Sequence, residues 1–215
     1  MRIRRRQLHP SVADELRHLG CATCPSLRHD GRAHGTAQWI AHVRPIDGWA
    51  TVQNDRCRKA GLAVAIVSCG GTGTYPLSVM QPGVTEIQAG GGIFGDIHYR
   101  THYGIEHPYA MTMMTTVTSR PNPMRVICDA GKKAMSGDAA LPQPLGLEGV
   151  KSVRLSAEHA TIELAVPNTT LRVGDPLEFV VGYTDTTVHL HDTMYGVRDG
   201  RVETVWPVAA RGRLQ

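Results

Sequence analysis

Residues 66–92 read "IVSCGGTGTYPLSVMQPGVTEIQAGGG": two runs of strand-forming residues, each running into glycines, with a proline-bearing segment between them. The first run starts further back, in "LAVAIVSCGG" (62–71), and an unbroken apolar stretch ahead of glycines predicts a parallel strand buried on both faces. "YPLSVMQPG" (75–83) reads as a short helix or turn, and "VTEIQAGGG" (84–92) repeats the strand-then-glycine pattern. Strand, short crossover and strand together predict the late part of a β/α barrel or of a doubly wound sheet.

Working outward, "DGWATVQNDRCRKAGL" (47–62) offers a helix capped by Asp47, with Trp49, Val52 and Cys57 at helical spacings and Gly61 as its stop. Residues 1–46 lack this order: they hold five of the 11 histidines, many arginines, and one short helical stretch, "SVADELRHL", after the cap candidate Ser11. Past residue 110 the texture becomes all β. "MTMMTTVTS", "MRVICDAG", "VKSVRLSAE", "ATIELAV" and "PLEFVVGY" are strand-like runs parted by Pro, Gly and Asn, and "GVRDGRVETVW" predicts a hairpin turning at Asp199-Gly200. The expected organisation is an atypical segment over 1–46, a partial β/α barrel over 47–110, and an antiparallel β domain over 111–215.

Composition narrows the function classes. Apolar residues make up 41% and charged residues 20%, and no apolar run approaches the roughly 20 residues of a membrane helix, so no membrane partner is expected. The net charge of +4 owes much to "MRIRRRQLHP" and "LRHLG", which hold five of the 23 Lys and Arg; with aromatics at 5%, no nucleic-acid partner is expected either. Five cysteines, an odd number without a secretory signal, predict reduced thiols and a cytoplasmic protein. Cys21 and Cys24 have the spacing of half a zinc knuckle, but no second pair follows at finger spacing.

Successive backbone amides in a glycine loop can cradle an anion, phosphate above all. "CGGTGTY" lacks the Gly-Lys-Ser/Thr of a P-loop, and Pro76 stands where a dinucleotide fingerprint needs its third glycine. Thr72 and Thr74 add hydroxyls beside Gly70, Gly71 and Gly73, and Gly90, Gly91 and Gly92 follow the next strand, so the two loops can share one phosphate cup; each loop alone also reads as a plain tight turn.

Taken in order, "VSCGGTGTYPLSVMQPGVTEIQAGGGIFGDIHY", "CDAGKKAMSGD", "LSAEHATIEL" and "GYTDTTVHLHDTMYGVRDGRVETVWPVAARGRLQ" resemble the C-terminal portion of the D-threonine aldolase and D-serine dehydratase-like family, over roughly residues 60–215. That family has the alanine-racemase-like fold, a β/α barrel followed by a β domain, and uses pyridoxal phosphate. The resemblance implies a lyase acting on a D-β-hydroxy amino acid, a homodimer, and a cofactor held by Thr72, Gly73, Thr74, Gln88, Gly90 and Gly91. Pyridoxal phosphate serves as an electron sink for a carbanion at the substrate's α-carbon. A divalent ion (Mn, Mg or Zn) polarising the β-hydroxyl would direct either Cα–Cβ cleavage or loss of that hydroxyl.

Two departures accompany the resemblance. Where the family carries a His-x-Asp or His-x-Cys metal pair, this chain has Tyr183-Thr184-Asp185. As an extended strand, Asp185, Thr187, His189 and His191 would share one face, making Asp185, His189 and His191 the candidate metal ligands; the same residues also suit an ordinary strand. The Schiff-base lysine of the family lies on the first barrel strand, and the only lysines here are Lys59, Lys132, Lys133 and Lys151, none of which matches it in position. The chain is therefore expected to be a truncated one, with residues 1–46 including translated sequence from another reading frame. Asp129, Asp138, Glu158, His159 and Asp192 match the family's pattern but suit turns and caps equally. Two other functions stay open: a non-catalytic pyridoxal-phosphate-binding remnant, and a metal-dependent hydrolase built on Asp185, His189 and His191.

Overall fold

The computed structural model describes residue 52 and residues 54–213, which belong to a single compact unit. The expected N-terminal segment, with the Cys21/Cys24 pair and the helix after Ser11, lies outside these residues, as do the Asp47 cap and Trp49.

Helix α1 (54–59) ends at Gly61, whose φ of 78° is the left-handed conformation that a helix stop of this kind requires. Strand β1 (Ser68–Cys69) leads through the first glycine loop to helix α2 (Tyr75–Ser78), with proline in its first turn, and then to strand β2 (Glu86–Ile87). The two strands run parallel, Ser68 beside Glu86 and Cys69 beside Ile87, so the β-α-β order predicted from sequence is present. The long buried strand expected over 62–71 is not: β1 spans two residues, and Leu62 and Ile66 are 41% and 63% exposed. A parallel strand is buried on both faces only between neighbours, and among the described residues β1 has β2 alone. After a 3₁₀ turn over Gly90–Ile93 comes helix α3 (Ile97–Tyr103), which Asp96 caps and Gly104, at a φ of 67°, ends.

The rest is mostly sheet. Strands β3 (Thr112–Asn122), β4 (Arg125–Cys128), β5 (Gln143–Pro144), β6 (Val150–Leu155), β7 (Ala160–Leu164) and β8 (Pro176–Val180) form one six-stranded sheet in the order β5-β8-β3-β4-β7-β6. Every pairing in it is antiparallel. Alternate residues turn inward, as period-2 patterning requires: Thr115 and Val117 on β3, Val126 and Cys128 on β4, Ala160, Ile162 and Leu164 on β7. These pack with Met135, Leu177 and Phe179 into the core, where Phe179, with no exposed surface, contributes about 1.5–3 kcal/mol. Helix α4 (Asp185–Val188) follows, then strands β9 (Thr193–Arg198) and β10 (Arg201–Pro207), a separate hairpin that turns at Asp199 and Gly200, both at positive φ as foreseen. Among the described residues no helix is long and apolar enough to cross a membrane.

The extended reading of 185–191 is corrected by α4. Thr187 is buried, its hydroxyl donating to the Tyr183 carbonyl at 2.7 Å and accepting the Ser136 amide at 3.1 Å, and this pair of bonds winds the segment into a helical turn. In a helix, residues 185, 187, 189 and 191 do not share a face.

Candidate functional site

The site forms where the glycine loops meet the end of β8. Helix α3 supplies the joint. Its first amides are bonded across to the sheet, Ile97 N–H to the Val181 carbonyl at 3.3 Å and His98 N–H to the Gly182 carbonyl at 2.9 Å. Asp96, 2% exposed, adds a double clamp. Its Oδ1 accepts the Tyr99 amide at 2.8 Å, and its Oδ2 accepts both the amide and the hydroxyl of Thr184, each at 2.9 Å. One carboxylate thereby fixes the start of α3 and the residue before Asp185 in a single frame.

Within that frame three other stretches converge on Gly91. A Cβ on Gly91 would lie 2.7 Å from Tyr99 Cε2, 3.1 Å from Thr72 Oγ1 and 3.2 Å from Asp185 Oδ1, so the position admits no side chain without displacing them. The Tyr99 phenol hydrogen-bonds the Thr72 hydroxyl, stands 3.5 Å from the Tyr183 hydroxyl, and donates to Asp185 Oδ2 at 3.2 Å. The Tyr183 hydroxyl donates to the same Oδ2 at 2.8 Å. Burial, ahead of any neighbouring charge, pushes the phenols of Tyr99, Tyr103 and Tyr183 above the ordinary tyrosine value. All three are therefore neutral hydroxyls at physiological pH. His98 packs among the rings of Tyr99, Tyr103 and Tyr183 and holds them together.

The predicted cup residues fall into two groups. Thr72 and Gly91 are buried at the convergence, and Gly73 is buried against Tyr103, whose Cδ1 lies 2.5 Å from where a Cβ would sit. Thr74 is spent on the turn itself: its amide and its hydroxyl both reach the Gly71 carbonyl, at 3.0 and 3.3 Å. Gln88 is exposed and donates to Ser68 Oγ at 2.8 Å, and Gly90 is exposed with open space where a Cβ would be. Beyond Gly92, the buried His107 Nε2 has no hydrogen-bond partner among the described residues and lies 3.6 Å from where a Gly92 Cβ would be; its ring stacks on Tyr75 at 5.6 Å. An orphaned ring nitrogen beside a glycine loop is a ready contact for an anion.

The three residues predicted as metal ligands are not brought together. Asp185 faces the two phenols, His189 Nδ1 lies 3.3 Å from the Asp185 backbone carbonyl, and His191 Nε2 donates to the Ala134 carbonyl at 2.7 Å. Among the described residues no three His, Cys, Asp or Glu side chains are grouped to hold a metal ion. Of the other residues that match the family's pattern, Asp129 accepts the Thr116 amide, Glu158 pairs with Lys133, and Asp192 pairs with Arg211.

Sequence reasoning missed Tyr99, His107 and Asp96. Asp96 had a readable signal, since "DIHYRTHYG" (96–104) is a cap, a basic last turn and a glycine stop. Tyr99 had none, because its partners lie 27 and 86 positions away in the chain, at Thr72 and Asp185.

The family model described as "Putative serine dehydratase domain" matches residues 110–197. The chain is 39% identical over 168 residues to a 3-hydroxy-D-aspartate aldolase of Paracoccus denitrificans, covering 74% of this chain and 43% of that protein. Its fold is similar to the crystal structure of a D-threonine aldolase from Filomicrobium marinum, with a TM-score of 0.77, 27% identity, and coverage of 84% of this chain and 50% of that one. An alanine-racemase-like protein from Idiomarina loihiensis shares the fold at 21% identity, with a TM-score of 0.63 and coverage of 76% of this chain and 51% of that one. The chain thus spans about half the length, or less, of the proteins it matches.

Proposed function

We propose that this chain, kin by sequence and fold to the D-threonine aldolases and 3-hydroxy-D-aspartate aldolases, supplies the phosphate-binding and substrate-facing part of a pyridoxal-phosphate-dependent lyase for D-β-hydroxy amino acids. We read β1 and β2 with their loops as the late strands of its β/α barrel. The observation that carries the reading is the convergence on Gly91 of Thr72 from the first loop, Tyr99 from α3 and Asp185 from beyond β8. A phosphate monoester suits the polar groups beside the glycine loops, the buried Thr72 hydroxyl and the orphaned His107 Nε2.

In this reading Thr72, Gly73 and Gly91 hold the phosphate, with His107 as a further contact. Pyridoxal phosphate, when bound, supplies the electron sink for breaking a bond at the substrate's α-carbon. The residues of this chain do the rest. Tyr99 and Tyr183 hold their protons on their own oxygens and fix the Asp185 carboxylate. Asp185 Oδ1, turned toward Gly91, accepts a hydrogen bond from an ammonium or hydroxyl of the substrate. The half-buried rings around His98 limit the access of water on that side.

One observation favours a second reading, a binding protein without catalysis. All four lysines of the chain are exposed, and none is among the residues that meet at Gly91. Titration of the full chain with pyridoxal phosphate, followed by absorbance and then borohydride reduction, separates the cases. Saturable binding that inorganic phosphate competes away supports the cup, and failure to bind rejects it. Release of glycine and an aldehyde marks an aldolase, while a 2-oxo acid and ammonia mark a dehydratase. Binding with neither product and no reduced lysine adduct supports the non-catalytic reading.

A further inference from the structure

Asp185 is the carboxylate that faces Gly91 among the described residues, and its surroundings decide what it can bind. Oδ2 receives two phenol hydroxyls, from Tyr183 at 2.8 Å and Tyr99 at 3.2 Å, while Oδ1 faces Gly91. A divalent ion needs deprotonated donors grouped around it. Here the groups nearest the carboxylate are two phenols, each donating its proton to the oxygen a cation would need. The two histidines that follow are turned elsewhere, and His191 in particular has its Nε2–H committed to the Ala134 carbonyl. A cation at Oδ2 would have to displace both phenols, and neither His189 nor His191 is turned toward it in exchange. Among the described residues, those around Asp185 therefore do not fit the divalent ion that the family resemblance implies.

We propose that Tyr99, Tyr183 and Asp185 form a metal-free recognition site, a carboxylate held by two hydroxyls, which takes a hydroxyl or ammonium group of the ligand in the neighbouring cup. The two phenols neutralise one oxygen by hydrogen bonding and aim the other, as backbone amides do for a buried carboxylate elsewhere. The choice of tyrosine at 183 sets this behaviour: it fills the metal-side oxygen of Asp185 with a proton donor. The inference rests on the proposed function only for the identity of the ligand, because the donor set around Asp185 excludes the cation whether or not the cup holds pyridoxal phosphate.

The test is a manganese titration of the full chain without pyridoxal phosphate, following the spin resonance of free Mn²⁺. Wild type, D185N, Y183H and Y183H/D185N are compared, with circular dichroism confirming that each is folded. Wild type and D185N are expected to leave the ion equally free, and Y183H to gain affinity by at least about tenfold, or 1.4 kcal/mol, a gain lost again in Y183H/D185N. Stoichiometric binding by wild type that D185N abolishes overturns the inference, as does a folded Y183H that binds no better than wild type. If the Y183H chain unfolds, wild type against D185N decides alone. A pyridoxal phosphate titration run in parallel reports on the cup separately, so failure of one reading does not imply failure of the other.

Discussion

Replacing Asp96 by alanine removes the clamp that joins α3 to the segment carrying Asp185, and its cost can be worked from the bonds it breaks. The cap bond to the Tyr99 amide is worth about 1 kcal/mol. The Thr184 amide, in a residue 1% exposed, is left buried without an acceptor, at about 1–3 kcal/mol. The Thr184 hydroxyl loses its acceptor too, but can rotate in search of another, so it adds less. The sum is about 3 kcal/mol for Asp96→Ala. Asp96→Asn keeps one oxygen for the Tyr99 amide and turns an NH₂ toward the Thr184 N–H, so about 1–2 kcal/mol is expected. Urea unfolding followed by circular dichroism measures both. With a slope near 3 kcal/mol per molar, Asp96→Ala should lower the midpoint by about 1 M without changing the slope. The same substitution frees Tyr99 and Asp185 from their common frame, so affinity for pyridoxal phosphate should fall with the stability. An Asp96→Ala chain within about 0.5 kcal/mol of wild type, the size of an ordinary surface change, would refute the clamp.

Three further outcomes follow from other parts of the molecule. Gly91→Ala places a Cβ 2.7 Å from Tyr99 Cε2 and against Thr72 and Asp185, so it should cost about 1–3 kcal/mol in urea melts. Equilibrium dialysis should show at least about tenfold weaker pyridoxal phosphate binding, and unchanged affinity would put the cup elsewhere. Arg120 donates to the carbonyls of Pro123, Arg125, Asn168 and Leu171, so Arg120→Ala should cost about 2–4 kcal/mol, with Arg120→Lys recovering little, while cofactor affinity in the folded chain is untouched. The phenols of Tyr99, Tyr103 and Tyr183 are raised by burial, so as pH climbs past about 10 the unfolded chain gives up these protons while the folded chain keeps them. Their contribution to stability is whole below that pH and is lost through the window between the ordinary and the raised values; urea midpoints that hold level across this window would contradict the buried placement.

Local grammar carried the antiparallel sheet. Each strand from β3 to β8 with an alternating apolar face was readable because the pattern that makes a strand also says which side is buried, and the Asp199-Gly200 turn announced itself by residue type. β5 escaped, since two residues ending in proline carry no period. The first strand was overread for a related reason: a continuous apolar run shows what a segment can bury, and burial depends on neighbours the run does not name. At 185–191 alternation and helical winding were both compatible with "DTTVHLH", and the deciding bonds came from Tyr183 and Ser136, through the buried hydroxyl of Thr187. A threonine with two such bonds is a tertiary feature, and periodicity is blind to it.

The cup shows the same division at the level of chemistry. Glycines and threonines marked the loops, because an anion cradle needs residue types that a sequence displays. What the loops face was not displayed, since Thr72, Gly91, Tyr99 and Asp185 meet only after α3 has docked its first amides on the carbonyls of Val181 and Gly182. That docking uses up the donors a helix start would otherwise offer to an anion, so a phosphate in the proposed cup would be held by the loops and the side chains beside them. It also sets the spacing between loop and carboxylate: Asp96 holds Tyr99 by its amide and Asp185 through Thr184, two points on one rigid group. A tyrosine at 183 then matters more than any glycine. Gly91 lets Thr72, Tyr99 and Asp185 close around it, whereas the hydroxyl of Tyr183, bonded to Asp185, would set whether that carboxylate meets a ligand directly or through a metal ion.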